Sequence, residues 1–209
     1  MTGSDLYGSD QHGSDLHDEP VEVAITATEI VYEGAVWDVR SDTFDYNGHA
    51  TVRQYVAHPG ASAIVALDDE RRMLVIQQYR HPIRQRDWEI PAGLLDVAGE
   101  APVEAAKREL AEEADLQASH WHPLVSIRTT PGGNDETVHI FLARGLSATA
   151  EAFAREAEEA DLRLEWVALD DVVTAVLDGR FANGILAAGA LATAERLRRE
   201  DAALSLIHI

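Results

Sequence analysis

The chain has 209 residues, 46% of them hydrophobic, which is enough for one substantial core and a smaller unit beside it. Its 17 basic and 37 acidic residues give a formal charge of −20 at pH 7, so the overall field repels nucleic-acid phosphates and anionic membrane surfaces, and neither is expected as a partner. The absence of cysteine excludes disulfides, thiol nucleophiles and thiol metal sites, leaving oxygen or imidazole to hold any metal.

Residues 1–19 repeat Gly-Ser-Asp from Gly3, Gly8 and Gly13, a composition that buries too little surface to offset ordering entropy, and a disordered tail is expected there. The tail has neither the basic start nor the apolar stretch of a secretory signal. No apolar run approaches the roughly 18 residues of a membrane span, and a cytoplasmic protein is expected. Residues 20–58 read as a β-rich unit, with strands near 22–33, 36–46 and 50–57 and a hairpin turn at Asn47-Gly48. Residues 59–209 read as the main domain. Its first two apolar runs, 63–67 and 73–79, flank a charged turn and predict buried strands. A helix is predicted over 101–114, with Pro102 in its first turn. Strands follow near 121–128, 136–143 and 163–168, and then helices over 170–177 and from Asn183 to about Arg199. Strands with few helices, outside strict βαβ order, predict an α+β fold with a mixed sheet. The apolar C-terminus, ALSLIHI, has no evident place.

On the 101–114 helix, Glu109, Glu112 and Glu113 stand at i, i+3 and i+4 and share one face. Three carboxylates in so small a volume oppose one another unless a cation compensates, and hard oxygens suit Mg²⁺ or Mn²⁺. An arbitrary acidic helix would instead hold a solvated face paired with Lys107 and Arg108. The flanking residues decide between the two readings. The stretch from Gly93 to Leu116 resembles the signature of the Nudix hydrolases: Gly, five residues, Glu, seven residues, Arg-Glu, an aliphatic, any residue, Glu-Glu, any residue, Gly, an aliphatic. Glu100, Arg108, Glu109, Leu110, Glu112, Glu113 and Leu116 match it. Two positions depart: six residues separate Gly93 from Glu100, and Asp115 replaces a helix-ending glycine, a position where Asp tolerates the left-handed conformation less well than Gly.

The resemblance implies an α/β/α sandwich and metal-dependent cleavage of a nucleoside diphosphate derivative. It makes Glu109 and Glu113 the principal metal ligands, joined by Glu112 and the main-chain carbonyl of Ala92, with Arg108 orienting the glutamates and Glu100 bracing the motif. Within the family, three segments resemble the ADP-ribose pyrophosphatase branch: Gln78–His81 followed by Trp88–Gly93; Thr130-Pro131-Gly132, with Pro131 sixteen positions beyond Asp115; and the acidic run Glu158–Leu162. That likeness makes Glu159, or its neighbour Glu158, the general base. It places Arg80, Leu94, Thr130, Pro131, Gly132 and Glu136 at the substrate. It further implies a homodimer in which the N-terminal units are exchanged, Arg53 and Gln54 completing the partner's site and Trp37 stacking on adenine. ADP-ribose is the expected substrate. A GDP-sugar hydrolase and a non-catalytic sensor of the same fold are the competing readings.

Overall fold

The structure is a computed structural model and describes residues 16–150, Phe153 and residues 162–207. Most of the expected tail therefore lies outside the described residues, and residues 16–19 have no regular structure.

Strands β1 (Ala24–Tyr32), β2 (Asp38–Tyr46) and β3 (His49–Ala57) form a separate antiparallel sheet in that order. Its hairpin turns on Asn47 (φ 56°) and Gly48 (φ 79°), the two left-handed positions that a two-residue loop requires. All nine residues of β1 are exposed, among them Ile25, Ile30, Val31 and Tyr32.

The main body has two further sheets. A four-stranded sheet runs β7 (Ala92–Leu94), β4 (Ala61–Ala66), β9 (Thr137–Ala148), β8 (Leu116–Arg128), with β4 and β9 parallel and the other pairs antiparallel. A three-stranded antiparallel sheet runs β10 (Arg163–Ala168), β5 (Arg72–Arg80), β6 (Gln85–Glu89). Every residue of β4 is buried, because helices cover both of its faces. On one side Ala63 and Val65 join Leu169 and Val172 of α2 (Leu169–Leu177) and Leu186, Ala190 and Leu197 of α3 (Gly184–Ile207). On the other, Ile64 and Ala66 meet Ala106, Leu110 and Ala114 of α1 (Pro102–Ala114). This is the expected α+β sandwich with a mixed sheet. Among the described residues no helix is long and apolar enough to cross a membrane.

Several boundaries differ from the sequence reading. Strand β8 begins at Leu116, not near 121, because the chain turns straight out of α1, and the inward Leu116 and Ala118 alternate with exposed Gln117 and Ser119. Helix α3 continues to Ile207 and takes up most of the unplaced C-terminal run, with Leu204 57% exposed. Strands β6 and β7 were not anticipated. The first reads QRDWE with no apolar alternation, and the second is three residues long and exists through its pairing with β4.

Candidate active site

Helix α1 lacks a side-chain N-cap, but Pro102 at its start has no N–H to satisfy, and the Pro102 carbonyl accepts the buried Ser62 hydroxyl at 2.6 Å, fastening the helix to β4. Its inward face is mostly alanine and leucine, which lets the helix lie close to the sheet. Glu113 falls on that face and is 6% exposed. A buried carboxylate needs donors, and the Ala92 N–H supplies one to its Oε2 at 3.0 Å. Glu109 packs so tightly beneath Gly93 that a Cβ there would overlap its carboxyl group. The β7 strand and α1 are thus locked together through these two glutamates.

Arg108 gathers the remaining carboxylates. Its guanidinium donates to both oxygens of Glu100 (3.3 and 3.1 Å), to Glu109 Oε1 (2.5 Å) and to Glu112 Oε2 (3.3 Å). The hydrogen bond to Glu100 is the largest cause holding the Arg108 pKa above its ordinary value, and burial opposes it. One guanidinium serves Glu100, Glu109 and Glu112 while Glu113 stands beside them, so carboxylate is in excess on this face. An excess of hard oxygen donors fits a divalent cation. Among the described residues the glutamates do not form a ready-made ligand cluster; their oxygens are held by Arg108 and by the Ala92 N–H.

The extra residue between Gly93 and Glu100 is absorbed where Gly99 takes φ 81° and the Glu100 N–H returns to the Val97 carbonyl. Asp115 adopts the left-handed conformation that glycine would take, with φ 54° and ψ 34°.

Beside this motif opens a cleft of about 370 Å³, lined by residues that include Arg80, Ala92, Gly93, Leu94 and Glu136. Arg80 is held there by a double hydrogen bond to Glu89 (2.7 and 2.6 Å). Among the lining residues that sequence reasoning missed, three are polar: His58, Glu89 and Asn183. His58 Nδ1 lies 3.5 Å from Glu136 Oε1 and 3.1 Å from the Gly60 N–H, and the His58 N–H donates to Asp135 Oδ1 at 2.8 Å. Asn183 was expected as a helix cap, which it is, its Oδ1 accepting the Ile185 and Leu186 N–H groups. The adjacency of Glu89 to Trp88 and Pro91 in the quoted motif was the one available signal for it.

Other expected substrate residues lie outside this cleft. Thr130, Pro131 and Gly132 are exposed in the loop that joins β8 to β9, a loop tied to β3 by Val56 N–H to Gly133 and Asp135 N–H to Val56. Arg53 and Gln54 are exposed on β3, and Trp37, 43% exposed, sits in a small hollow with Tyr32 and Val36. Glu158 and Glu159 fall outside the described residues.

A mixed sheet between helices, with a glutamate-bearing helix clamped under a glycine turn beside an arginine-lined cleft, defines a class of α+β domains built to bring carboxylates to a polyanionic ligand. Residues 56–187 match the NUDIX domain, and the chain belongs to the Nudix family. It is 44% identical over 167 residues to the ADP-ribose pyrophosphatase of Mycobacterium tuberculosis (strain ATCC 25618 / H37Rv), covering 79% of this chain and 80% of that one. Over 158 residues it is 37% identical to the ADP-ribose pyrophosphatase of Bacillus subtilis (strain 168), covering 75% and 84%. The fold is shared with a solved ADP compounds hydrolase at a TM-score of 0.73 and 21% identity, over 88% of this chain and 98% of the other. Like other family members with an intact glutamate motif, the chain is a Nudix pyrophosphohydrolase, and such enzymes generally use divalent metal ions.

Proposed function

We propose that the chain hydrolyses the pyrophosphate of ADP-ribose to AMP and ribose 5-phosphate with Mg²⁺, Mn²⁺ serving as a substitute, and that it works as a cytoplasmic homodimer. The observation that carries this reading is the clamp of Glu109 and Glu113 against Ala92 and Gly93 at the wall of the Arg80 cleft. The named substrate is supported by the two ADP-ribose pyrophosphatases to which the chain is similar.

Glu109, Glu112, Glu113 and the Ala92 carbonyl would hold the ion. When bound, it neutralises phosphate charge and acidifies the attacking water. Arg108 keeps the glutamates in register, and Arg80, presented by Glu89, pairs with phosphate or ribose oxygens. Leu94 and Glu136 line the same cleft, and Thr130, Pro131 and Gly132 would reach the substrate from the exposed β8–β9 loop. Glu159, with Glu158 as the alternative, accepts the proton of the attacking water.

The exposed sheet of β1–β3 supports the dimer. A three-stranded sheet with its first strand wholly exposed has too little cover to be stable alone. Seated on a second copy, it would bring Arg53, Gln54 and Trp37 to the partner's cleft. The 20–58 unit is then the dimerisation element and 59–209 the catalytic domain.

Phosphorus NMR of ADP-ribose incubated with the protein and Mg²⁺ tests the reading. Phosphomonoester signals of AMP and ribose 5-phosphate should replace the diphosphate pair. Faster turnover of GDP-mannose in a parallel tube would overturn the substrate, and full activity of Glu113→Gln would overturn the metal site.

A further inference from the structure

Strand β6 is the outer strand of its sheet and pairs with β5 alone among the described residues, so its other edge has no ladder to hold it. The connection between α2 and α3, residues 178–183, supplies that support. Successive side chains of a strand point to opposite faces, and this connection takes hold of both. On one face Phe181 packs against Trp88, their ring centroids 5.9 Å apart. On the other, Asn183 Nδ2 donates to Asp87 Oδ2 at 3.2 Å. Asp87 shares its face with Glu89, whose carboxylate holds the Arg80 guanidinium at 2.7 and 2.6 Å. Arg80 stands opposite Gln85, so its bond to Glu89 spans the stretch of β6 in which Asp87 is the middle residue. Asn183, Glu89 and Arg80 all line the cleft beside the glutamate motif.

From this we infer that Asn183 is a positioning residue: through Asp87 it fixes the strand that presents Glu89, and so sets where Arg80 meets the substrate. The two ends of its carboxamide are used differently. Its Oδ1 accepts the Ile185 and Leu186 N–H groups, both at 3.0 Å, and starts α3, a task that Asp or Ser performs as well. Among these capping residues Asn alone brings an N–H donor, which is what the Asp87 carboxylate takes. Helix α3 is seated in the core through Leu186, Ala190 and Leu197, so its cap is a fixed point. A charge-assisted hydrogen bond from that point refers an arginine on an edge hairpin to the core of the domain. The inference rests on the reading above that Arg80 pairs with phosphate or ribose oxygens.

The test compares wild type with Asn183→Asp, alone and combined with Asp87→Asn, reading the thermal midpoint, amide exchange over residues 85–89, and kcat and KM on ADP-ribose with Mg²⁺. Asp caps a helix as Asn does and suits its N-terminus, so Asn183→Asp keeps α3 but sets one carboxylate against another at Asp87. KM should rise about tenfold and exchange over β6 should quicken by a similar factor, the loss expected for one charge-assisted hydrogen bond. Because the glutamate motif is untouched, kcat should stay within about twofold. Adding Asp87→Asn reverses donor and acceptor across the same gap, so the double variant should return KM and exchange to within about twofold of wild type. In an Arg80→Ala background, Asn183→Asp should change KM by less than about twofold, since it acts through the missing arginine. If Asn183→Asp does not fold, Asn183→Ser decides: it keeps the cap, is uncharged and too short to reach Asp87, and should raise KM about fivefold. Wild-type KM in either folded variant overturns the inference. So does a double variant no better than Asn183→Asp, which would put Asn183 on the substrate itself. If the wild-type chain leaves ADP-ribose intact, the proposed substrate fails instead, and exchange over residues 85–89 with its rescue still decides whether Asn183 braces β6.

Discussion

Gly93→Ala adds one methyl group, and the structure says where it must go. The new Cβ would overlap the Glu109 carboxyl carbon and Oε1, so the carboxylate has to retreat by roughly 1.5 Å to reach ordinary van der Waals separation. Glu109 is fixed on its other side by Arg108 and by the body of α1, so the retreat moves an oxygen of the proposed metal site. A displacement of about 1 Å at a reacting centre costs on the order of 10²-fold in rate. We therefore expect kcat/KM on ADP-ribose to fall about 100-fold and the Mg²⁺ concentration for half-maximal rate to rise. Circular dichroism and thermal melting should show a folded protein. Shortening the neighbour supplies the control: Glu109→Asp makes room for the methyl, so the double variant should lose much less than the two single losses combined. Wild-type kcat/KM in Gly93→Ala would refute the argument that the glycine exists to seat Glu109.

Arg80→Ala should raise KM and also destabilise the fold by about 1–3 kcal/mol in urea titrations, because it strands the Glu89 carboxylate, whose side chain is 7% exposed. Mixing Arg53→Ala with Glu113→Gln subunits should regain activity that neither has alone, since one site of each mixed dimer then holds an intact metal motif and a partner's Arg53; no recovery would place Arg53 in its own subunit's site or in none. Sedimentation should give twice the chain's 22.8 kDa. On the surface of α3, hydrogen bonds from Arg198 and Arg199 lower the Glu195 pKa from 4.5 to about 2. A depressed carboxylate stabilises the fold above the unfolded pKa and loses that contribution as pH falls. The melting-temperature gap between wild type and Glu195→Gln should thus be present at pH 7 and close between about pH 4.5 and pH 2; a gap independent of pH would contradict this.

Where a residue's role was local, the sequence revealed it. The helix spacing placed Glu109, Glu112 and Glu113 on one face, Pro102 marked the helix start, Asn183 marked a cap, and Asn47-Gly48 marked a hairpin, because each depends on neighbours a few positions away. Contacts across the fold were hidden. Glu89 meets Arg80 through their long side chains, although the β5–β6 register sets Glu89 opposite Ile76 and Arg80 opposite Gln85, and His58 meets Glu136 because the β8–β9 loop folds back on β3. The hydrogen bond from the Phe153 N–H to Asp115 was equally invisible, since its two residues are 38 positions apart; taken alone Asp115 looked like a defect in the motif. Strand β7 could not be foreseen from three residues without knowing that β4 lies beside them.

The N-terminal sheet touches the catalytic body sparingly: β3 is tied at Val56 and His58, and Val36, from the turn between β1 and β2, reaches the cleft wall. The glutamate motif and the residues that the proposed dimer would lend to a partner's cleft, Arg53, Gln54 and Trp37, therefore lie on opposite sides of a short seam at His58-Pro59-Gly60. Descent can rewrite one side of that seam without disturbing the other, as a lock keeps its bolt while its wards are recut. For the engineer the same seam is a splice point, where a foreign sheet could bring new selectivity to an unaltered hydrolytic centre.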